Sequence, residues 1–402
     1  MNKEVWVCGL GAISSIGLNA EDNFRSLSQG HSGVSYPEFL HTIHKQDLPV
    51  CEIKQTNESL AALSGMKIDL PRTVYLSAIA ATEALQHSGL SAHDETLRFG
   101  FISGNTLGGM DTTEFFYNEF LQDVRQGRLK DVVHHECGSV TDLVAKHIGI
   151  RHFVTTLSTA CSSSANAILH GSRMIRHGLL DVVIAGGADA LCRFTLNGFN
   201  TLMILDSEPC KPFDENRKGL NLGEGAGYVV LVSDAVRQKY QLTALAKVSG
   251  YANANDAFHQ TASSPEGKGN YMAMEQALHM SGLRTEDINY INAHGTGTAN
   301  NDSSEGLAID RLFGDHVPLV SSTKGHTGHT LGACGGLEAV YCCFSLMHDA
   351  VYPNLRHQNK IQEHSFSPVR VFSRDHPIHH VMSNSFGFGG NCTSLIFSKA
   401  NH

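Results

Sequence analysis

Cys161 is the residue best placed to act as a nucleophile. It follows a β-like run ending Ser158-Thr159-Ala160 and precedes Ser162-Ser163-Ser164, where a helix is expected to begin. A thiol at a helix N-terminus meets free N–H groups and the positive end of the macrodipole, and both favour the thiolate. Small neighbours leave room for a substrate to approach. His294 stands in the loop Asn292-Ala293-His294-Gly295-Thr296-Gly297-Thr298, directly after an apolar strand at 288–291. A histidine there points into the crevice at the carboxyl ends of strands, where α/β proteins bind ligands. The hydroxyls of Thr296 and Thr298 can hydrogen-bond an extended ligand that carries amides. The run Lys324-Gly325-His326-Thr327-Gly328-His329 also falls between a strand and a helix. Asn384-Ser385-Phe386-Gly387-Phe388-Gly389-Gly390 ends a further strand in a glycine-rich turn, whose N–H groups suit an oxyanion hole and whose aromatic rings can gate a pocket.

Each feature also has a plain structural reading. The ten cysteines form no CxxC pair and no regular framework, so most read as reduced, buried small hydrophobes. His294 could simply hold its own turn. His326 and His329 resemble two metal ligands, but a zinc site needs two more at defined spacing, and nothing near Cys161 in sequence provides them. Metal is therefore expected to be absent. Gly9-Leu10-Gly11 imitates a dinucleotide loop, yet Ser14 stands where the third glycine belongs and no acidic residue ends a second strand at the right distance.

The elements that must position these residues alternate between short apolar strands and amphipathic or small-residue helices, the pattern of an α/β fold. Strands are expected at 5–10, 99–104, 153–157, 181–187 and 225–232, with helices at 20–30, 73–88, 140–147 and 162–177. The same grammar restarts after residue 240: strands at 244–251, 288–293, 319–322, 381–384 and 393–397, with helices at 270–281, 302–313 and 330–349. The run VTTLSTACSSSANAILHGSRMI in the first half is echoed by VPLVSSTKGHTGHTLGACGGLEAV in the second. Both helices carry small residues that would let them pack closely in the centre of the molecule. Proline is absent between Pro71 and Pro209, as a packed interior requires.

A chain of 402 residues with 17% charged residues has less charge than the roughly 25% of ordinary soluble proteins, which suggests that part of its surface is covered by another subunit. The net charge of −9 without basic runs gives no footprint for nucleic acid and no polybasic membrane anchor. No apolar stretch reaches the roughly 20 residues of a membrane span. The N-terminal run carries Glu4 and repeated glycines, a poor signal peptide. A cytoplasmic protein is expected.

The motifs VWVCGLGAISSIG, STACSSSANAI, VVIAGGADA, PFDENRKGLNLGEGAGYVVL, NDAFH, NAHGTGTANND, SSTKGHTGHTLGACGG and SNSFGFGGN occur in that order along almost the whole chain. Together they resemble the condensing enzymes of fatty-acid and polyketide synthesis, the β-ketoacyl-acyl-carrier-protein synthases. The resemblance implies a thiolase fold, a five-layered αβαβα sandwich of two duplicated halves (residues 1–240 with the nucleophile, 241–402 with the histidines), usually dimeric. It implies that Cys161 takes an acyl group from carrier-protein phosphopantetheine. His294 and His329 would promote decarboxylation of a malonyl thioester and hold the enolate oxygen. Lys324 would organise His294, with Glu338 as its partner. The N–H groups of Cys161 and Phe388 would form the oxyanion hole, Phe388 would also act as gate, and Thr296, Thr298, Phe386 and Leu107 would contact substrate. No intrinsic cofactor is implied. The implied partners are acyl carrier protein and a second subunit, identical or related.

The departures are specific. Residues 131–139, DVVHHECGS, are shorter and more polar than the proline- and aromatic-rich stretch common in fatty-acid enzymes near the dimer interface and acyl tunnel. Asn391-Cys392 replaces the more usual Thr-Asn after the glycine turn. Three other readings share the fold. A biosynthetic thiolase would use a second cysteine as base, with Cys392 available, but the two histidines and Lys324 favour the ketosynthase. A chain-length-factor partner subunit normally lacks the active cysteine, which Cys161 argues against. An initiating ketosynthase carries Asn in place of one histidine, and both are present here. Primary fatty-acid elongation and a specialised product such as an aryl polyene or other polyketide both fit.

Overall fold

The computed structural model describes residues 4–400. Its ten strands are β1 (Val5–Ser14), β2 (Phe99–Gly104), β3 (Phe153–Leu157), β4 (Val182–Asp189), β5 (Gly225–Ser233), β6 (Ala246–Asn255), β7 (Tyr290–Asn292), β8 (Leu319–Ser321), β9 (His380–Phe386) and β10 (Asn391–Lys399). They join in the order β3-β2-β4-β5-β1-β6-β10-β9-β7-β8. Outward from the centre the order is β1, β5, β4, β2, β3 on one side and β6, β10, β9, β7, β8 on the other. The second half thus retraces the path of the first, strand for strand. The halves meet where Trp6 faces Lys247 and Val7 faces Ala246. In each half the outer three strands run parallel and the inner pairs antiparallel.

Helices supply the remaining layers. Arg72–Ser88 covers β1 and β5 from outside, and Lys268–Ser281 covers β6 and β10. Between the halves lie Ser163–Arg176 and Cys334–His348, which touch each other and strands of both halves. The result is the five-layered thiolase arrangement. Small residues make the central contact possible: a Cβ on Gly335 would fall 2.7 Å from the Cβ of Ala165. Gly9 and Gly11 are explained in the same way. A Cβ on Gly11 would lie 2.0 Å from the carbonyl oxygen of Ala80, so these glycines let β1 seat directly on the helix Arg72–Ser88 and form no phosphate loop.

The strands at 99–104 and 153–157 lie where the sequence places them, and most others run longer. β1 continues to Ser14, because glycine ends an apolar pattern without ending pairing when a neighbouring strand and a close helix secure it. The helix expected at 330–349 begins at Cys334, since Leu331 takes a positive φ of 55° inside a single tight turn. Among the described residues, three helices of eight or more residues lacked a clear signal, Asn57–Ser64, Met110–Gln122 and Arg193–Thr201, as did the short Asp234–Lys239 and Lys324–Thr327. Met110–Gln122 buries none of its residues against this chain. It opens a run of exposed apolar side chains, among them Phe115, Tyr117, Leu121, Val124, Leu129 and Val133. Among the described residues no helix is long and apolar enough to cross a membrane.

Candidate active site

Cys161 sits in a tight turn between β3 and the central helix Ser163–Arg176. Ala160 adopts a positive φ of 52°, which turns the chain sharply before Cys161. Neighbouring hydroxyls hold that turn: Ser163 Oγ accepts the Thr159 N–H at 2.8 Å and donates to the Ala160 carbonyl at 2.6 Å, while the Ser162 hydroxyl proton is shared between the Thr159 carbonyl and Asn391 Oδ1, each at 2.7 Å. Cys161 therefore lies two residues ahead of the first helical residue. The glycine turn after β9 closes over it. A Cβ on Gly387 would come 3.1 Å from the Cys161 nitrogen, so glycine there allows the gate turn to lie against the nucleophile's backbone.

His294 leaves the end of β7 and is buried. Its loop is held by a carboxylate: Glu305 Oε1 accepts the His294 N–H at 2.9 Å and Oε2 accepts the Gly295 N–H at 2.8 Å. Burial pushes Glu305 up to about 7 in spite of these bonds. Burial first, then the charge of Lys324 and the neighbouring His329, hold His294 well below the ordinary histidine range, so its ring is neutral at physiological pH. The rings of His294 and His329 stand edge to face, with centroids 5.4 Å apart.

His329 is held in one tautomer. Its Nδ1 accepts the Leu331 N–H at 3.0 Å, so the ring proton resides on Nε2. Lys324 Nζ lies 2.5 Å from Glu338 Oε1, and both groups are buried. Burial works against the ammonium charge, but Glu338 outweighs it and keeps Lys324 above its ordinary range.

Donor atoms of Cys161, His294 and His329 lie within 4.8 Å of one another. They open onto a cavity of about 380 Å³ that is also lined by Thr296, Thr298, Phe386, Phe388, Phe199, Lys218 and Cys392. Thr296 and Thr298 share a hydroxyl–hydroxyl bond of 2.9 Å at its wall, and Phe388 stacks on Phe199. Lys324 and Glu338 lie behind the cavity wall, and their effect on its contents is electrostatic. Leu107 is outside the lining and packs in a leucine-rich cluster that includes Phe199. Both ring nitrogens of His326 face carbonyl oxygens, of His31 at 2.7 Å and Pro353 at 2.9 Å, so this histidine braces the loop. Cys392 donates to Asn270 Oδ1 at 3.2 Å, and burial holds its thiol above the ordinary range, an unsuitable state for a base.

A thiol and two imidazoles can ligate a transition metal, but here a buried ammonium stands close enough to His294 to depress its protonation, and a cation of charge two would meet the same repulsion. The set suits anionic carbon–oxygen chemistry better. A nucleophile attacks a carbonyl, and neutral N–H donors receive the negative charge that develops on an oxygen.

Some participants carried no sequence signal that singled them out. Glu305 lies inside NNDSSEGLAID, and only folding brings the two N–H groups of the His294 loop to its carboxylate. Phe199 belongs to a helix the pattern did not reveal. Asn391, visible in the sequence only as a departure after the glycine turn, is a hub: its Oδ1 accepts from Ser162 Oγ at 2.7 Å, Asn166 Nδ2 at 2.9 Å and Asn253 Nδ2 at 2.7 Å, and so ties the gate turn to the helix after Cys161 and to β6.

Comparison with known proteins agrees with this geometry. The family "Beta-ketoacyl synthase, N-terminal domain" matches residues 2–236 and "Beta-ketoacyl synthase, C-terminal domain" residues 245–358. Nodulation protein E of Rhizobium meliloti (strain 1021) is 33% identical over 99% of this chain and 100% of its own length. The 3-oxoacyl-[acyl-carrier-protein] synthase 2 of Staphylococcus aureus (strain N315) is 32% identical over 99% of both chains. Among solved structures, the ishigamide ketosynthase/chain length factor superposes with a TM-score of 0.94 at 28% identity over all of both chains. A ketosynthase in complex with its chain length factor from Xenorhabdus doucetiae gives 0.83 at 30% identity, covering 99% of this chain and 98% of that one. With both halves matched and relatives of this identity aligned end to end, the chain belongs to the β-ketoacyl synthase family.

Proposed function

We propose that this protein is a β-ketoacyl-acyl-carrier-protein synthase, which condenses an acyl thioester with malonyl-carrier protein and releases carbon dioxide. The observation that carries this reading is the convergence of Cys161, a neutral His294 and an Nε2-protonated His329 on one cavity. The Cys161 thiolate attacks the acyl thioester of carrier-protein phosphopantetheine. A new C–S bond forms and the pantetheine thiol leaves. Malonyl thioester then loses carbon dioxide, and the electrons of that C–C bond pass to the thioester oxygen, where His294 and His329 donate hydrogen bonds. Such donors lower the barrier because they act on charge that appears in the transition state. The resulting carbanion attacks the Cys161 thioester, the backbone N–H groups of Cys161 and Phe388 hold the tetrahedral oxyanion, and collapse expels the thiolate.

Burial keeps His294 neutral, and the charge of Lys324, itself paired with Glu338, reinforces that state and organises the ring's surroundings. Thr296 and Thr298 face the amides of the pantetheine arm, and Phe386 and Phe388 bound the acyl pocket. Leu107 acts on chain length indirectly, through the cluster that backs Phe199. The reaction needs no resident cofactor; the phosphopantetheine arrives with the carrier protein. We place the division between the halves at residues 240 and 241, in the connector between the mirrored strand sets. The exposed apolar run from Phe115 to Val133 is the face expected to be covered by a second subunit, a copy of this chain or a chain-length-factor partner. The protein is assigned to the cytoplasm. Among products, a polyketide or aryl polyene is favoured over primary fatty acid by the polar 131–139 segment.

Mass spectrometry of the protein after incubation with a panel of acyl-carrier proteins tests the reading. An acyl adduct on Cys161, absent in Cys161→Ala together with all condensation, is the expected result. Condensation by the alanine variant would end the mechanism.

A further inference from the structure

The first residue of the central helix Cys334–His348 touches the catalytic ring from the side away from the cavity. Cys334 Sγ lies 3.7 Å from His329 Nδ1, the nitrogen that already accepts the Leu331 N–H. The Thr330 hydroxyl donates to the same sulfur at 3.5 Å. A thiol has one proton and a weakly accepting sulfur. With Thr330 occupying the sulfur as acceptor, the S–H is free to turn toward the ring. Burial pushes the Cys334 thiol up to about 11, so the proton is present. Cys334 lies outside the cavity lining and is 2% exposed, which separates it from the chemistry performed by Cys161.

We infer that Cys334 is a positioning residue for His329: its S–H donates to Nδ1 alongside the Leu331 N–H, at the end of a relay from Thr330 Oγ through Sγ to the imidazole. The consequence follows from the two tautomers. A proton on Nδ1 would face two donors and leave Nε2 without the hydrogen that a developing enolate needs. Two donors on Nδ1 therefore commit the ring to Nε2–H and fix its plane. Sulfur suits the position because its long C–S bond and diffuse lone pairs reach the ring from a helix start where a methyl group would leave the backbone N–H alone. The proposal rests on the ketosynthase reading for its catalytic consequence, but the contact itself does not.

The test uses the full-length protein with ¹⁵N-labelled histidine, wild type against Cys334→Ala and Cys334→Ser, with His329→Ala to assign the signal. In the wild type, Nδ1 of His329 should carry the shift of an unprotonated, hydrogen-bonded nitrogen. In Cys334→Ala that signal should move measurably downfield, as a lone pair with fewer donors does, and the serine variant should lie between. Carbon dioxide release from malonyl-carrier protein should fall about three- to tenfold in the alanine variant, recover in part with serine, and leave Cys161 acylation unchanged. An unmoved Nδ1 signal, or release equal to wild type in a folded alanine variant, would overturn the proposal. A wild type that releases no carbon dioxide would instead overturn the ketosynthase reading, and the nitrogen shift would still decide whether the thiol contact exists.

Discussion

Replacing His329 with alanine separates the two chemical steps assigned to this cavity. In the proposed mechanism the ring supplies one of two N–H donors to the enolate oxygen, and its Nδ1 bond to the Leu331 N–H aims that donor before substrate arrives. Removing one preorganised donor of this kind costs about 10²–10³ in rate, or about 3–4 kcal/mol. Decarboxylation of malonyl-carrier protein should fall by that factor. His294 remains as the second donor, because Glu305 and not His329 holds its loop, so the rate should stop short of zero. Transfer of an acyl group to Cys161 depends on the thiol and on backbone N–H groups, and should change less than tenfold. The substitution leaves the Leu331 N–H without its acceptor, a cost of about 1–3 kcal/mol for a buried group. The lower end applies, since the ring borders an open cavity and water can take its place. The assay is paired: released ¹⁴C carbon dioxide for one step and mass of the acyl-enzyme for the other. Release within about threefold of wild type, or equal loss of both steps, would refute the division of labour.

The Lys324–Glu338 pair and Glu305 make further predictions. Glu338→Ala leaves a buried ammonium without its counter-charge and should lower unfolding free energy by about 3–5 kcal/mol, whereas the double change Lys324→Met with Glu338→Leu should recover most of that loss; a free energy of urea unfolding for the single variant within about 1 kcal/mol of wild type would contradict the pairing. Glu305 is pushed up to about 7 by burial from an ordinary value of 4.5, so between those pH values the folded state binds more protons than the unfolded one. Its contribution is therefore most favourable below about pH 4.5 and is lost as pH rises toward 7. Glu305→Gln, although less stable overall because an NH₂ group must face a backbone N–H, should show a shallower fall in stability from pH 5 to 7.5, and parallel profiles for the two proteins would remove Glu305 as the source.

Much of the chemistry was legible because it is local. The turn before Cys161, the Gly/Thr loop around His294 and the Lys324 to His329 run each lie between a strand and a helix that neighbouring residues specify, so residue type and element boundary together point at the cavity. Where tertiary contact decides, the sequence misleads or is silent. The sequence excludes a nucleotide loop at Gly9 and Gly11 but is silent on why glycine stands there, which the helix Arg72–Ser88 pressed against them explains. His326 and His329 are spaced alike relative to their glycines, yet one turns to carbonyl oxygens and the other to the cavity. Met110–Gln122 has no core-facing apolar stripe in its sequence, because most of its large apolar residues face away from this chain's own core.

Sequence by itself therefore carried the strand-and-helix grammar and the candidate residues at strand ends, because those depend on local conformation, and the order of its motifs carried the family resemblance that implied a nucleophile and two enolate-stabilising histidines. Tertiary structure alone decided which nitrogen of His329 bears the proton, which carboxylate holds the His294 loop, that Leu107 stands behind the cavity and not in it, and that Cys334 touches the catalytic ring. Those features rest on hydrogen bonds and burial between segments far apart in the chain, where a shift of one or two ångströms changes donor into bystander and no spacing rule carries the information.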